Sequence, residues 1–212
     1  MAALDLQEQE QVDALKHWWK DNGKKLTAAL TVALLVFAGF KGWQYYQNKQ
    51  SADASRLYGE VLKQLASGDA KRVSDAAAAV AEKYGSTAYA SRAQLLAAQV
   101  NETVGSDLAR AQSQLEWIVA HAGEESLQSV ARLHLGALLL DQKNYAAALE
   151  QANAKHAASF DGLFADLKGD ILNAQGKTAE AKAAYKLAFD KTDANNMYRN
   201  LIQIKLDALG GA

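Results

Sequence analysis

The chain has 212 residues, half of them hydrophobic, with no proline, no cysteine and a formal charge of -1. Missing thiols exclude disulfides, zinc-thiolate sites and cysteine catalysis, and the absence of any block of like charges excludes the electrostatic footprint of a nucleic-acid binder. Alanine runs such as Ala76 to Ala79, without a single proline, favour helix nearly everywhere, so an all-α fold is expected, made of one anchor and one folded domain.

Residues 1–23 form a lead-in with charges of both signs, including Glu8, Glu10, Asp13 and Asp21. Leu26 to Phe40 then carries no charge for fifteen residues, with Lys24 and Lys25 before it and Lys41 after it. That length falls short of the roughly 20 residues a spanning helix needs, and the flanks supply the rest. Trp18 and Trp19 on one side, and Trp43, Tyr45 and Tyr46 on the other, are amphipathic rings suited to the two headgroup layers. From Trp19 to Trp43 a helix would cover about 36 Å. A cleaved signal peptide fits poorly, because its charged leader is short and no small-residue cleavage site follows Phe40. A buried core helix is the other alternative, but such helices rarely have lysines and tryptophans at both ends. The expected organisation is a cytoplasmic segment over residues 1–23, a transmembrane helix over 24–46 and a periplasmic domain over 47–212. Lys16, Lys20, Lys24 and Lys25 precede the span against Lys41 and Lys49 after it, which favours a cytoplasmic N-terminus in a single-pass bacterial inner-membrane protein.

From Gln47 the pattern becomes amphipathic helices separated by turn signals at Ser67-Gly68-Asp69, Gly85-Ser86, Gly105-Ser106, Ala122-Gly123, Asp161-Gly162 and Gln175-Gly176-Lys177. Ser55 to Leu65 with Ala70 to Tyr84 forms one expected hairpin. Arg92 to Ala98 with Asp107 to Ile118 forms a second, with a longer turn. Further on the chain repeats itself: Gly136 and Gly169 lie 33 residues apart, as do Ala148 and Ala181. These are the small positions of a tetratricopeptide repeat, where two antiparallel helices approach closely. Gly169, Gly176, Ala181, Tyr185 and Ala188 keep that family's spacings of 7, 5, 4 and 3. The pattern departs from the family at Arg132 and Ala165 in place of tryptophan, and at Phe160 and Asp193 in place of the closing proline. A generic array of helical hairpins is the alternative. The expected fold is therefore an N-terminal transmembrane helix followed by a right-handed, tetratricopeptide-like hairpin solenoid. Asn195 to Leu209 is a lone amphipathic helix that would cap it, with Met197, Leu201, Ile204 and Ala208 on its apolar side.

The segment Trp18-Trp19-Lys20, with Asn22-Gly23 behind it, resembles the opening of the YfgM family, and the likeness continues through the anchor, the Trp43 to Tyr46 exit and the alanine-rich repeats. The resemblance implies a bacterial inner-membrane protein with a periplasmic repeat domain, an ancillary subunit of the SecYEG translocon working beside the membrane-anchored chaperone PpiD on exported chains. A repeat scaffold for another envelope assembly, such as cell-wall or division machinery, is the alternative within the same architecture.

No catalytic constellation can be assembled. His17, His121, His134 and His156 form no metal-binding pair, and neither a phosphate loop nor a nucleophile elbow is present. Neither an enzyme nor a bound cofactor, metal or small-molecule substrate is expected. Counting from Gly136 and Gly169, the groove lined by the first helix of each hairpin would contain Leu133, Leu140, Asp141, Asp166, Asp170 and Asn173. Asp166 and Asp170, four apart, share one helix face. A mixed apolar and acidic groove prefers a polar, basic or amphipathic segment of a protein partner. A solvated face without a ligand is the alternative for these positions.

Overall fold

The computed structural model describes residues 6–105 and 107–210. The first five residues of the lead-in, and Ser106 of the expected turn, lie outside the described residues. By contacts the chain divides into two units, Met1–Lys49 and Gln50–Ala212, and one helix, α1 (Leu6–Ser67), runs through the boundary.

In the first unit α1 is the one described helix long and apolar enough to cross a membrane, and none of its apolar window is buried within the protein. Its polar side chains are satisfied locally, as a lipid environment demands. The Thr27 hydroxyl donates to the Gly23 carbonyl at 2.9 Å, and that of Thr31 to the Thr27 carbonyl at 2.8 Å. The Trp19 indole lies over Gly23, where an added Cβ would meet the ring at 3.1 Å. The absent side chain lets the ring lie flat along the helix just ahead of Lys24.

The second unit is all helix among its described residues. The end of α1 is followed by α2 (Ala70–Tyr84), α3 (Ala88–Val100), α4 (Leu108–His121), α5 (Glu125–Asp141), α6 (Tyr145–Asn153), α7 (Asp161–Ala174), α8 (Thr178–Lys191) and α9 (Tyr198–Ala208). Three helix starts, those of α2, α4 and α6, follow from capping chemistry. Asp69, Asp107 and Asn144 accept the backbone N–H of Arg72, Arg110 and Ala147, at 3.1, 3.0 and 3.4 Å, so one orphan donor at each start is satisfied. The longer turn of the second hairpin is a π turn, Asn101–Gly105. It is held from inside, because the buried Asn101 amide donates to Ser74 Oγ and Gln114 Oε1, both at 2.9 Å.

Three hydrophobic clusters run along the unit. Val61, Val73, Ala77, Val80 and Ala93 join α1, α2 and α3. Leu115, Ile118, Leu135, Leu139 and Ile171 join α4, α5 and α7. Leu172, Ala181, Tyr185, Ala188 and Ile202 join α7, α8 and α9. Trp117 packs against the first two clusters and Leu149 against the last two, so each hairpin buries its face on its neighbours, as a solenoid requires.

The 33-residue register holds in the backbone. Gly176 takes a left-handed φ of 75°, and Lys143, 33 residues earlier, takes φ 61° at the same place in its own hairpin. A Cβ on Gly136 would lie 2.7 Å from Leu167 Cδ2, and one on Gly169 would lie 2.5 Å from the Tyr185 ring, so both glycines sit at close helix contacts. Arg132, standing where the family has tryptophan, ties α5 to α6 through Gln151 at 3.0 Å.

Two expectations are corrected. Asp161-Gly162 is not a turn but the first turn of α7, entered from a short 3-10 turn, Ala158–Phe160. Gly162 is small because a Cβ there would meet Thr192 Oγ1 at 2.5 Å, where α7 starts beside the end of α8. The apolar side of α9 is also different. Ile202 and Leu206 are buried, with Tyr198 and Leu209 packed beside them, whereas Met197, Leu201, Ile204 and Ala208 face outward.

Candidate functional site

The six positions expected to line a groove belong to α5 and α7, and at about 100° per residue Asp166, Asp170 and Asn173 share one side of α7. Their environments differ sharply. Leu133 and Leu140 are half-buried and packed against the central cluster, while Asp141 and Asn173 are exposed. Asp141 lines a cavity of 180 Å³ with Glu102, Leu108, His134, Ala137 and Leu138. Burial raises the Glu102 carboxyl above the usual carboxylate range; His134 works against that rise and Asp141 adds to it.

Asp166 and Asp170 are engaged from within the chain. Asp166 is 2% exposed. Its Oδ2 accepts from Tyr198 Oη at 2.6 Å and from Lys205 Nζ at 2.7 Å, both on α9. The same ammonium donates to Asp170 at 2.8 Å, and Asp170 Oδ1 accepts from Tyr185 Oη at 2.7 Å. Lys205 also sits over the Tyr185 ring, 5.5 Å from its centroid. Two carboxylates therefore share one ammonium and two phenols in a half-closed pocket under the last helix. Burial is the largest influence raising both phenols above their ordinary range, and the hydrogen bond each donates to its aspartate acts the same way. Burial opposes the charge on Lys205, but its bonds to Asp166 and Asp170 outweigh that and raise its pKa. This network closes the acidic floor of the last hairpin with the protein's own cation. Reversing the charge at Asp166 consequently tests stability rather than partner binding, and Asp141 and Asn173 are the polar groove positions left open.

Spacing within one helix could not identify Lys205 and Tyr198 as partners of these aspartates, because they lie 39 and 32 residues away. Trp18, Trp19, Lys24, Lys25, Lys41, Trp43, Tyr45 and Tyr46, expected at the membrane interfaces, all lie exposed on α1. Lys41 bends back over the Phe37 ring, 5.8 Å from its centroid, with the Phe40 and Trp43 rings 6.3 Å apart beside it. The packing positions Ala148 and Ala181 are fully buried. Among the described residues no three histidine, aspartate or glutamate side chains are placed to hold a metal ion.

Comparison with known proteins adds sequence relatives to this geometry. The family model for a tetratricopeptide repeat-like domain matches residues 16–211. A protein of Neisseria gonorrhoeae named ancillary SecYEG translocon subunit is 31% identical over 211 residues, covering 98% of this chain and 99% of its own length. Proteins of the same name from Haemophilus influenzae and Escherichia coli are 27% and 25% identical, over 98% and 95% of this chain and 100% and 96% of theirs. No solved structure matches.

Proposed function

We propose that this chain, which belongs to the family of ancillary SecYEG translocon subunits and carries a tetratricopeptide repeat-like domain, is a membrane-anchored adaptor that binds other proteins at the translocon. The observation that carries this reading is the contrast between its two parts. Leu26 to Phe40 leaves its apolar surface uncovered on α1, whereas Gln50–Ala212 buries a core of its own and presents polar groove positions. The anchor holds the chain in the bacterial inner membrane, and the repeat domain contacts a periplasmic partner, the chaperone PpiD by family resemblance, beside newly exported proteins. Tethering raises the effective concentration of the repeat domain, so a weak groove is sufficient. The role is binding rather than catalysis.

The two parts should fail separately. Exchanging Leu26 to Phe40 for an unrelated anchor is expected to lower copurification with the translocon at least about fivefold, because helix contacts in the membrane are lost while residues 47–212 are untouched. Charge reversal at the exposed Asp141 is expected to weaken the periplasmic contact instead, with membrane association unchanged. If the exchanged anchor copurifies as well as the parent, translocon association does not run through this helix.

The proposed orientation rests on the lysine bias and the two aromatic belts. Protease added to intact spheroplasts is expected to degrade the chain after Trp43 and to leave the segment before Lys25 protected. Digestion of the N-terminal segment alone would show the reverse insertion.

A further inference from the structure

α7 has a second surface. By helical geometry Asp161, Phe164, Ala165, Lys168 and Leu172 share a side of it centred about 150° around from that of Asp166, Asp170 and Asn173. There α7 forms the floor of a trough walled by α6 and α8. The trough consists of two adjoining cavities, of 250 and 310 Å³, which share the lining residues Ala165, Lys168 and Leu187. Its floor is buried and apolar, made of Ala152, Phe164, Ala165, Leu172 and Ala184, and above it Leu187 stands 51% exposed without a core position to fill.

The charges are arranged by position. Lys168, which lines both cavities, stands at their junction, where it donates to the neutral Asn153 at 2.8 Å and forms no ion pair among the described residues. At the far end of the first cavity Lys191 lies 3.2 Å from Asp161, and His156, stacked on Phe164, lies 3.4 Å from the same carboxylate. The first cavity is thus lined by two ammonium groups and one carboxylate, an excess of positive charge that does not depend on the state of His156. At the other end stands Glu180. From Glu180 to Lys191 along α8 is about 16 Å, or three helical turns.

We propose that this trough is a docking site for an amphipathic helix of about three turns from a partner protein, with its carboxylate-bearing C-terminal half in the cavity lined by Lys168 and Lys191. The alanine floor allows a helix to approach closely, Leu187 supplies apolar area on one wall, and a helix laid in such a groove reads its partner through residues spaced i, i+3, i+4 and i+7. The end charges set direction. The negative end of the incoming helix dipole, with any acidic side chain in its last turn, meets the lysines, and its N-terminal end meets Glu180. This surface is separate from the groove of Asp141 and Asn173, so the proposal does not depend on that groove or on the identity of the partner at the translocon.

The test is a selection of random peptides about twelve residues long against the full-length chain in lipid nanodiscs, with affinities of individual peptides then measured by fluorescence anisotropy. Enriched sequences are expected to carry apolar residues at helical spacing and Asp or Glu in the last turn. Leu187→Glu and Lys168→Glu, both surface changes checked by thermal melting, should each weaken binding about tenfold or more, and Asp141→Lys, outside the trough, should not. Lys168→Glu should also regain a peptide whose last-turn acids are exchanged for lysine, which a merely unfolded trough could not do. Enrichment indifferent to Leu187→Glu and Lys168→Glu, or enriched peptides with basic C-terminal ends, would overturn the proposal. So would a dimer of the chain that Leu187→Glu dissociates, since the occupant would then be a second copy.

Discussion

Gly169→Leu is expected to destabilise the repeat domain by about 3 kcal/mol or more, at the upper end of the range for overpacking a close contact. Even one added carbon would stand 2.5 Å from the Tyr185 ring, and that ring has nowhere to go. It is 2% exposed, and its hydroxyl is bonded to Asp170 at 2.7 Å. The two helices must therefore separate, which opens the cluster of Ala181, Ala184 and Ala188 at the same time. Thermal melting of the full-length chain should show a midpoint lowered by about 6 to 12 °C. Gly176→Leu should cost less, about 1 kcal/mol, because nothing lies within 4 Å of that position and only the left-handed backbone is strained. Gly136→Ala should also be milder than any change at Gly169, because the atom it meets is the end of a Leu167 side chain, which can turn aside. Equal midpoints for Gly169→Leu and the parent would overturn the assignment of this contact.

Lys205→Met is expected to cost a similar amount, about 3 kcal/mol, because it strands two carboxylates, one of them buried, without a counter-charge. Adding Asp166→Asn to that variant should recover part of the loss: the amide oxygen still accepts from Tyr198 and one uncompensated charge is gone. A double variant no more stable than Lys205→Met alone would mean that the ammonium contributes only packing. The same network predicts how the native protein responds to alkali. Lys205, Tyr185 and Tyr198 all hold their protons more tightly folded than unfolded, so their contribution is complete below about pH 10 and is lost as the pH rises above it. The melting midpoint should thus fall above about pH 10, and Tyr198→Phe should flatten that fall.

Much of the architecture was legible without coordinates because it is set by short-range physics. The all-helical fold follows from alanine content and the absence of proline. The span follows from an uncharged run between lysines and aromatic rings. The hairpin register follows from small residues 33 apart, which two helices need wherever their backbones approach, and from a permissive glycine in the turn. The turn signal at Asp161-Gly162 failed because a glycine also serves a close approach, here to Thr192.

The tertiary structure alone decided which face of α9 turns inward and what becomes of the acidic pair. The stripe of Met197, Leu201 and Ile204 and the stripe of Tyr198, Ile202 and Leu206 both follow helical periodicity, displaced from each other by about 130°, so spacing supports either. The second is buried because it brings Tyr198 and Lys205 onto Asp166, and with Lys205 also Asp170, giving the aspartates donors and a counter-charge that the first stripe does not carry. Within their own helix those aspartates look like an open acidic patch. Tyr198 and Lys205, which help to close it, lie more than 30 residues along the chain from Asp166, and only packing α9 against α7 and α8 brings them into hydrogen-bonding distance.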